Sequence, residues 1–198
     1  GASGTGSAGS AGAGGAVTLT LNGSSAQTVT GAVTVGDDGE GTLVINNSNG
    51  ITFSSSVGTT SDKIGVLNMT STATFSSTVD ADTLDIDTET GASTLTFAGN
   101  VAGGNWTIET GNSSGSDDAG VNFGGNLSLT SLNIDKDHAS AEATVTFNGS
   151  SAQTVVGNLT TTADGDGIVI INNSNGVTFN DDFGVAGNGV GSLQITSG

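Results

Sequence analysis

Acidic side chains recur in short groups along the chain, and clustered carboxylate oxygens are the ligands that calcium prefers in proteins. Two of the groups sit in Asp-Gly runs, and a third falls in a longer acidic stretch. Neither the 12-residue calcium loop nor the glycine-rich nonapeptide calcium repeat is present. The six candidate calcium ligands are Asp37, Asp38, Asp85, Asp87, Asp164 and Asp166. The alternative interpretation of the same residues is that they form solvated turns.

Residues suited to catalysis are scarce. His138 is the only histidine, and Lys63 and Lys136 are the only basic residues. A histidine metal site cannot be built from one histidine, and a serine-histidine-acid triad would depend on His138 alone. Trp106 takes an apolar position in a strand pattern, which predicts a core residue. We therefore expect no enzymatic activity and no cofactor other than calcium.

The net charge of −17 excludes several classes of partner. A nucleic-acid-binding surface must be basic, so nucleic acid is not expected. No apolar run approaches the roughly 18 residues of a membrane helix, so membrane insertion is not expected either. The chain has no cysteine and no proline, which agrees with an exported protein built from uninterrupted strands.

The chain repeats itself at long range. The string NGSSAQTV at Asn22 returns at Asn148, and INNSNG at Ile45 returns at Ile171, both 126 positions later. The repeat predicts three regions. Residues 1–15 form a Gly/Ser/Ala-rich flexible tail or linker, residues 16–141 a first long repeat, and residues 142–198 part of a second repeat that continues the same structure.

A shorter repeat lies inside the long one. Six phenylalanines, spaced 22–32 residues apart, each follow Thr or Asn and have an apolar residue two positions earlier. Most are followed four residues later by Val, Leu or Phe, and then by an apolar-polar-apolar triplet of the Leu-x-Ile type. The phenylalanines are Phe53, Phe75, Phe97, Phe123, Phe147 and Phe179.

Period-2 alternation in coils of this length predicts a parallel β-helix, a β-solenoid of stacked coils of about 22–32 residues. Each coil would contain a Phe strand, a short corner strand and a Leu-x-Ile strand. Phe53, Phe75 and Phe97 should then align in adjacent layers. An antiparallel β-sandwich is the alternative fold, but it does not explain the recurring spacing.

The string TFNGSSAQTVVGNLT at Thr146, together with the Thr-Phe coils, resembles the repeat regions of large bacterial surface proteins. These are the β-helical passengers of autotransporters and haemagglutinin-like adhesins, and some S-layer or surface-filament proteins. The resemblance covers residues 16–198. It implies a right-handed parallel β-helix, export to the cell surface and a scaffolding or adhesive role, with no catalytic residues.

The sequence therefore predicts an extracellular structural protein that self-associates end to end in a bacterial surface layer, matrix or filament. The expected cause of this association is an open end, because the second repeat stops mid-pattern at Gly198. The alternative is an adhesin that binds carbohydrate or other cells. Ice binding is a weaker alternative, because outward Thr-x-Thr pairs lie in consecutive coils only at Thr72/Thr74 and Thr94/Thr96.

Overall fold

The computed structural model describes residues 17–86, 93–110, 118–136 and 140–196, and within these ranges it is built from β-strands and turns without a helix. The strands are β1 (Thr18–Asn22), β2 (Gln27–Val29), β3 (Glu40–Asn46), β4 (Ile51–Phe53), β5 (Ile64–Met69), β6 (Ala73–Phe75), β7 (Val79–Ile86), β8 (Ser93–Phe97), β9 (Val101–Glu109), β10 (Ala119–Phe123), β11 (Leu127–Asp135), β12 (Ala143–Phe147), β13 (Gln153–Thr161), β14 (Asp166–Ile171), β15 (Val177–Phe179) and β16 (Val190–Ile195). Residues 1–16, which include the predicted tail, lie outside the described residues.

Two eight-stranded sheets face each other across the core. The odd-numbered strands form one sheet, here the odd sheet, and the even-numbered strands form the other, the even sheet. Each strand pairs in parallel with the strand two places further along the chain. One odd and one even strand therefore make one turn of a β-solenoid, which confirms the predicted parallel β-helix. The antiparallel sandwich is wrong, because every pair of named strands runs parallel.

The phenylalanines of the even sheet form one column. Phe53 pairs with Phe75, and Phe75 with Phe97. Their ring centroids are 4.8 and 4.9 Å apart, with interplanar angles of 5° and 7°. This distance is the spacing of hydrogen-bonded strands, so each ring lies flat on the ring below. The column continues through Phe123 and Phe147, at 5.4 and 5.8 Å, and confirms the predicted alignment.

The corner of each turn differs from the prediction of a separate third strand. In the later turns the corner and the Leu-x-Ile triplet form one strand, as in β11, which shifts register between Ser128 and Ser131. In the first turns the corner is reduced to single bridges that join Val33, Val57 and Val79. A bulge at the corner is present only between β11 and β13, whereas β7, β9 and β11 pass the same corner in register with one another.

The long sequence repeat does not return to the same sheet. Strand β3 belongs to the odd sheet, whereas β14, which lies 126 residues later, belongs to the even sheet. The reason is that the described part of the first repeat contributes eleven strands, an odd number, to a solenoid with two strands per turn. The second repeat is therefore rotated by half a turn about the solenoid axis.

Phe179 shows the consequence of this rotation. It lies on β15 in the odd sheet, opposite the phenylalanine column, and meets Phe147 edge to face at 5.4 Å and 90°. The prediction that all six phenylalanines form equivalent strands is wrong for Phe179. The spacing of 32 residues between Phe147 and Phe179 is long because it contains three strands instead of two.

Trp106 is the bulkiest fully buried side chain, which confirms its predicted place in the core. Its indole Nε1 donates a hydrogen bond of 2.9 Å to the carbonyl oxygen of Ala81 in the layer below. Gly103 makes room for this bond. A Cβ atom added at Gly103 would lie 1.8 Å from the Ala81 oxygen and 2.8 Å from the indole nitrogen.

Gly103→Ala is expected to destabilise the protein by about 2–4 kcal/mol, because the methyl group collides with backbone and displaces a buried hydrogen bond. Gly120→Ala is the matched control. A Cβ atom there meets nothing closer than the Thr94 hydroxyl at 3.5 Å, so we expect unchanged or slightly higher stability. Denaturant unfolding followed by circular dichroism measures both. Equal losses in the two variants would contradict the role assigned to Gly103.

Candidate functional site: the open ends and polar corners

Apolar side chains are exposed at both ends of the solenoid. At the first layer Val17 is 52% and Leu19 is 46% exposed, and at the last layer Leu193 is 51% and Ile195 is 71% exposed. These are core positions by pattern, since their equivalents in the middle layers are buried. They are exposed because no described strand covers the outer edges of β1, β2, β15 and β16.

A polar network holds one corner of the first repeat. Asn47 is fully buried, and its Nδ2 donates to the Ser25 carbonyl at 2.9 Å and to Gln27 Oε1 at 3.0 Å. Its Oδ1 accepts the Asn49 N–H at 3.0 Å. The two repeated strings, NGSSAQTV and INNSNG, therefore contact each other across neighbouring layers.

The second repeat rebuilds the same corner. Asn173 Nδ2 donates to the Ser151 carbonyl and to Gln153 Oε1, both at 2.8 Å, and its Oδ1 accepts the Asn175 N–H. Gln153 adds two further bonds, from its Nε2 to the carbonyl oxygens of Phe123 at 2.9 Å and Gly125 at 2.8 Å in the layer below. These bonds satisfy every polar atom of the buried amide.

Gln27 takes the place of Gln153 in the first layer. Within the described residues its Oε1 has the Asn47 partner, but its Nε2 has none. Gln27 is exposed, whereas Gln153 is buried. Gln27 was not among the predicted site residues, although its identity with Gln153 in the repeated string was a signal for it.

The carboxylates at the corners accept hydrogen bonds from backbone N–H groups. Asp38 Oδ1 accepts the backbone N–H of Lys63 at 3.0 Å, and Asp164 Oδ1 accepts that of Gly189 at 3.2 Å. Asp166 Oδ2 accepts the Ala163 N–H at 2.9 Å within its own turn. The glycines beside these acids have φ between 70° and 87°, which favours glycine because it has no Cβ: Gly39, Gly41, Gly165 and Gly167.

The described candidate calcium ligands fall in separate turns, with at most two in one turn. Asp85 accepts a hydrogen bond from Asn68 Nδ2 at 3.0 Å, Asp37 lies in the same turn as Asp38, and Asp87 lies outside the described residues. Among the residues that the structure describes, no three acidic or histidine side chains gather as a metal site would require. His138 also lies outside the described residues. Calcium binding stays a prediction.

A lysine lies between two of the acids. Lys63 Nζ is 3.1 Å from Asp38 Oδ1 and 3.7 Å from Asp82 Oδ1 in the layers on either side. The backbone N–H of Lys63, followed by its ammonium group, holds the pKa of Asp38 below its ordinary value. The hydrogen bond to Asp38 raises the pKa of Lys63. Because these groups are exposed, the pairs fix the corner more than they stabilise the fold.

A shallow groove runs along one corner, with a volume of about 280 Å³, and Asp80, Asn100 and Asn126 contribute to its walls. Asp80 is only 7% exposed. Burial raises the pKa of this carboxyl, and Lys63 opposes the shift in part. The groove offers a single carboxylate without a second titratable group on its walls, and Trp106 is buried away from it.

Outward threonines form a column on the even sheet. Thr28, Thr52, Thr74 and Thr96 lie in consecutive layers, and Asn122 follows. The neighbouring column is interrupted, since Thr94 pairs with Gly120. On this sheet, Thr-x-Thr pairs therefore lie in adjacent layers only at Thr72/Thr74 and Thr94/Thr96, as the sequence indicated.

No protein-family model matches the chain, and no curated protein or solved structure matches it significantly either. Among the described residues there is also no helix long and apolar enough to cross a membrane. The geometry of the ends and corners is therefore the basis for the function proposed below.

Asp80→Asn is expected to stabilise the protein at neutral pH by about 1 kcal/mol or less, because it removes a desolvated charge. The folded-state pKa of Asp80 lies above its unfolded value, so native Asp80 binds its proton more readily. The difference in stability between Asp80→Asn and wild type should therefore shrink as the pH falls through the raised pKa towards 3.8. Thermal melts of both proteins from neutral to acidic pH measure this difference. A gain that grows towards low pH would contradict the assignment.

Proposed function

We propose that this chain is a structural protein that assembles end to end, outside the cell, into a filament, matrix or layer on a bacterial surface. The observation that supports the proposal best is the exposure of core-type residues at both ends. Leu19 at one end and Ile195 at the other occupy positions whose counterparts in the middle layers are buried.

Two of the usual protections against pairing, charged residues and prolines, are missing from the edge strands. Natural sheets protect their edges with charged residues, prolines or bulges. The edge strands here are β1 (TLTLN), β2 (QTV), β15 (VTF) and β16 (VGSLQI), and none contains a charged residue or a proline. Within the described residues no strand pairs with their outer edges, so the N–H and C=O groups there can continue the two sheets into another molecule.

The charge of the protein directs this association. The net charge of −17 makes two copies repel each other side by side. The charge-free edge strands meet this repulsion least, so contact at the ends is favoured over lateral aggregation. The sequence of the coils resembles the repeat regions of bacterial surface proteins, and this resemblance supports an extracellular place for the assembly.

Ile195→Asp is expected to raise the concentration needed for assembly by about tenfold or more, because the contact would bury an unpaired charge. Val156→Asp is the matched control, since Val156 is 38% exposed on the flank of the solenoid. Sedimentation velocity and negative-stain microscopy measure the assembly, and thermal melts verify the fold. A wild-type protein that stays monomeric at high concentration, or equal effects of both variants, would overturn the proposal.

Assembly is expected to strengthen as NaCl rises from about 0.02 M to about 0.3 M, because salt screens the repulsion between the acidic flanks. CaCl₂ and MgCl₂ at matched ionic strength separate screening from calcium binding. Equal effects of the two ions are expected from screening alone. A larger effect of calcium, lost in Asp164→Asn, would support the calcium prediction. Assembly that weakens with salt would contradict the role of repulsion.

A further inference from the structure

We propose that a second copy of this chain places its first layer, β1 and β2, on the last layer, β15 and β16, in one defined register. The register is the one that β12 and β13 adopt on β10 and β11 inside the molecule, here called the internal junction. This inference rests on the proposed end-to-end assembly and specifies how the copies fit together.

The upper half of the internal junction is a second version of the free first layer. Strands β12 and β13 follow β1 and β2 by 126 residues, and both pairs contain the string NGSSAQTV around the corner. The layer beneath β12 and β13, which is β10 and β11, is therefore a template for the surface that β1 and β2 would bind.

The lower half of the internal junction matches the last layer. In β10 and β11, Phe123 is followed four residues later by Leu127, and in the last layer Phe179 is followed four residues later by Phe183. Both layers then end in an apolar-polar-apolar triplet. The turn before the triplet is longer in the last layer, and this turn lies outside the paired strands. The end of the molecule therefore has the same order of apolar residues, from the phenylalanine to the triplet, as the edge that β12 and β13 meet.

The apolar side chains fit in this register. In the internal junction Phe147 pairs with Phe123, Val145 with Val121 and Val155 with Leu127. The corresponding contacts between two copies place an apolar side chain on an apolar side chain at each core position. They are Leu19 on Val177, Leu21 on Phe179, Val29 on Phe183, Val33 on Leu193 and Val35 on Ile195.

Gln27 supplies the polar part of the recognition. In the internal junction Gln153 Nε2 donates to the Phe123 and Gly125 carbonyls. The equivalent acceptors in the last layer are the carbonyls of Phe179 and Asp181. Gln27 already takes the Asn47 hydrogen bond that Gln153 takes from Asn173, so its unpartnered Nε2 is held in position for a neighbouring copy.

A second polar contact follows from the same template. Asn126 Oδ1 accepts the Thr154 N–H at 2.9 Å in the internal junction. The equivalent residues at the two ends are Asp182 and Thr28. No described group donates to the Asp182 carboxylate, so it can accept the Thr28 N–H of the next copy, and the negative charge strengthens such a bond.

The competing register is rotated by half a turn. It would place β1 on β16 instead of β15, and Leu21 on Ile195. It leaves Gln27 without the Phe179 carbonyl, because that carbonyl lies on the opposite sheet. Outward positions distinguish the two registers. Thr20 lies beside Thr178 in the proposed register and beside Gln194 in the rotated one.

Disulfide cross-linking tests the register directly, because the chain has no cysteine of its own. Neighbouring strands lie about 4.8 Å apart, which suits a disulfide. Within one copy the paired positions are separated by most of the solenoid, so every cross-link joins two copies. Oxidised assemblies of the Thr20→Cys/Thr178→Cys variant should form a ladder of covalent multimers on a non-reducing gel, and the Thr20→Cys/Gln194→Cys variant should not.

Gln27→Glu tests the polar contact. It keeps the oxygen that accepts from Asn47 and replaces the donor with a carboxylate that faces carbonyl oxygens, so the critical concentration for assembly should rise by about tenfold or more. Gln194→Glu is the matched control, with the same charge change at the same interface on an outward side chain. Its critical concentration should stay within about threefold of wild type. Thermal melts confirm that both variants fold.

The possible results separate this inference from the proposed function. Cross-linking through Thr20 and Gln194 instead, or assembly of Gln27→Glu at wild-type concentrations, would overturn the register and leave end-to-end assembly standing. A wild-type protein that forms no assembly would overturn both.

Discussion

Parallel stacking of successive layers in register is the interaction on which the whole molecule depends. One turn of the chain buries too little apolar surface to offset the entropy of ordering it, about 1–2 kcal/mol per residue for the backbone. The turns are stable only because each shares its core with the turns above and below. The column from Phe53 to Phe147 shows the result, with like rings stacked at centroid distances of 4.8 to 5.8 Å.

The corners fix the register that the core alone would leave loosely defined. An apolar column tolerates a slip of one layer, since Phe meets Phe again. Side chains such as Asn47, Asp38 and Gln153 do not, because each hydrogen bonds to particular groups in the adjacent layer. The amides of Asn47 and Gln153 thus satisfy carbonyls in buried or partly buried positions, whereas Asp38 accepts an exposed backbone N–H.

The two halves of the chain use the same local structure in opposite orientations. The corner around Asn47 and the corner around Asn173 have matching hydrogen bonds, although their strands lie in opposite sheets. A two-sheet solenoid accepts either orientation because the strands of both sheets alternate in the same way, with apolar residues towards the core and polar residues towards the solvent. The same equivalence lets the last layer resemble a layer from the middle of the molecule, and it makes an end suitable for contact with another copy.

The sequence by itself determined the strands, the coil length and the alignment of Phe53, Phe75 and Phe97, because period-2 alternation and a regular spacing are local properties. It also determined that Trp106 belongs to the core. Only the tertiary structure decided that Phe179 lies in the opposite sheet, since this depends on counting strands around the solenoid and not on the pattern within any one of them. Only the tertiary structure showed that Asp38 and Asp164 accept backbone N–H groups, and that Gln27 Nε2 has no partner within the described residues. Both depend on contacts between layers at least 20 residues apart, and such contacts follow from the stacking and not from neighbouring residues in the chain.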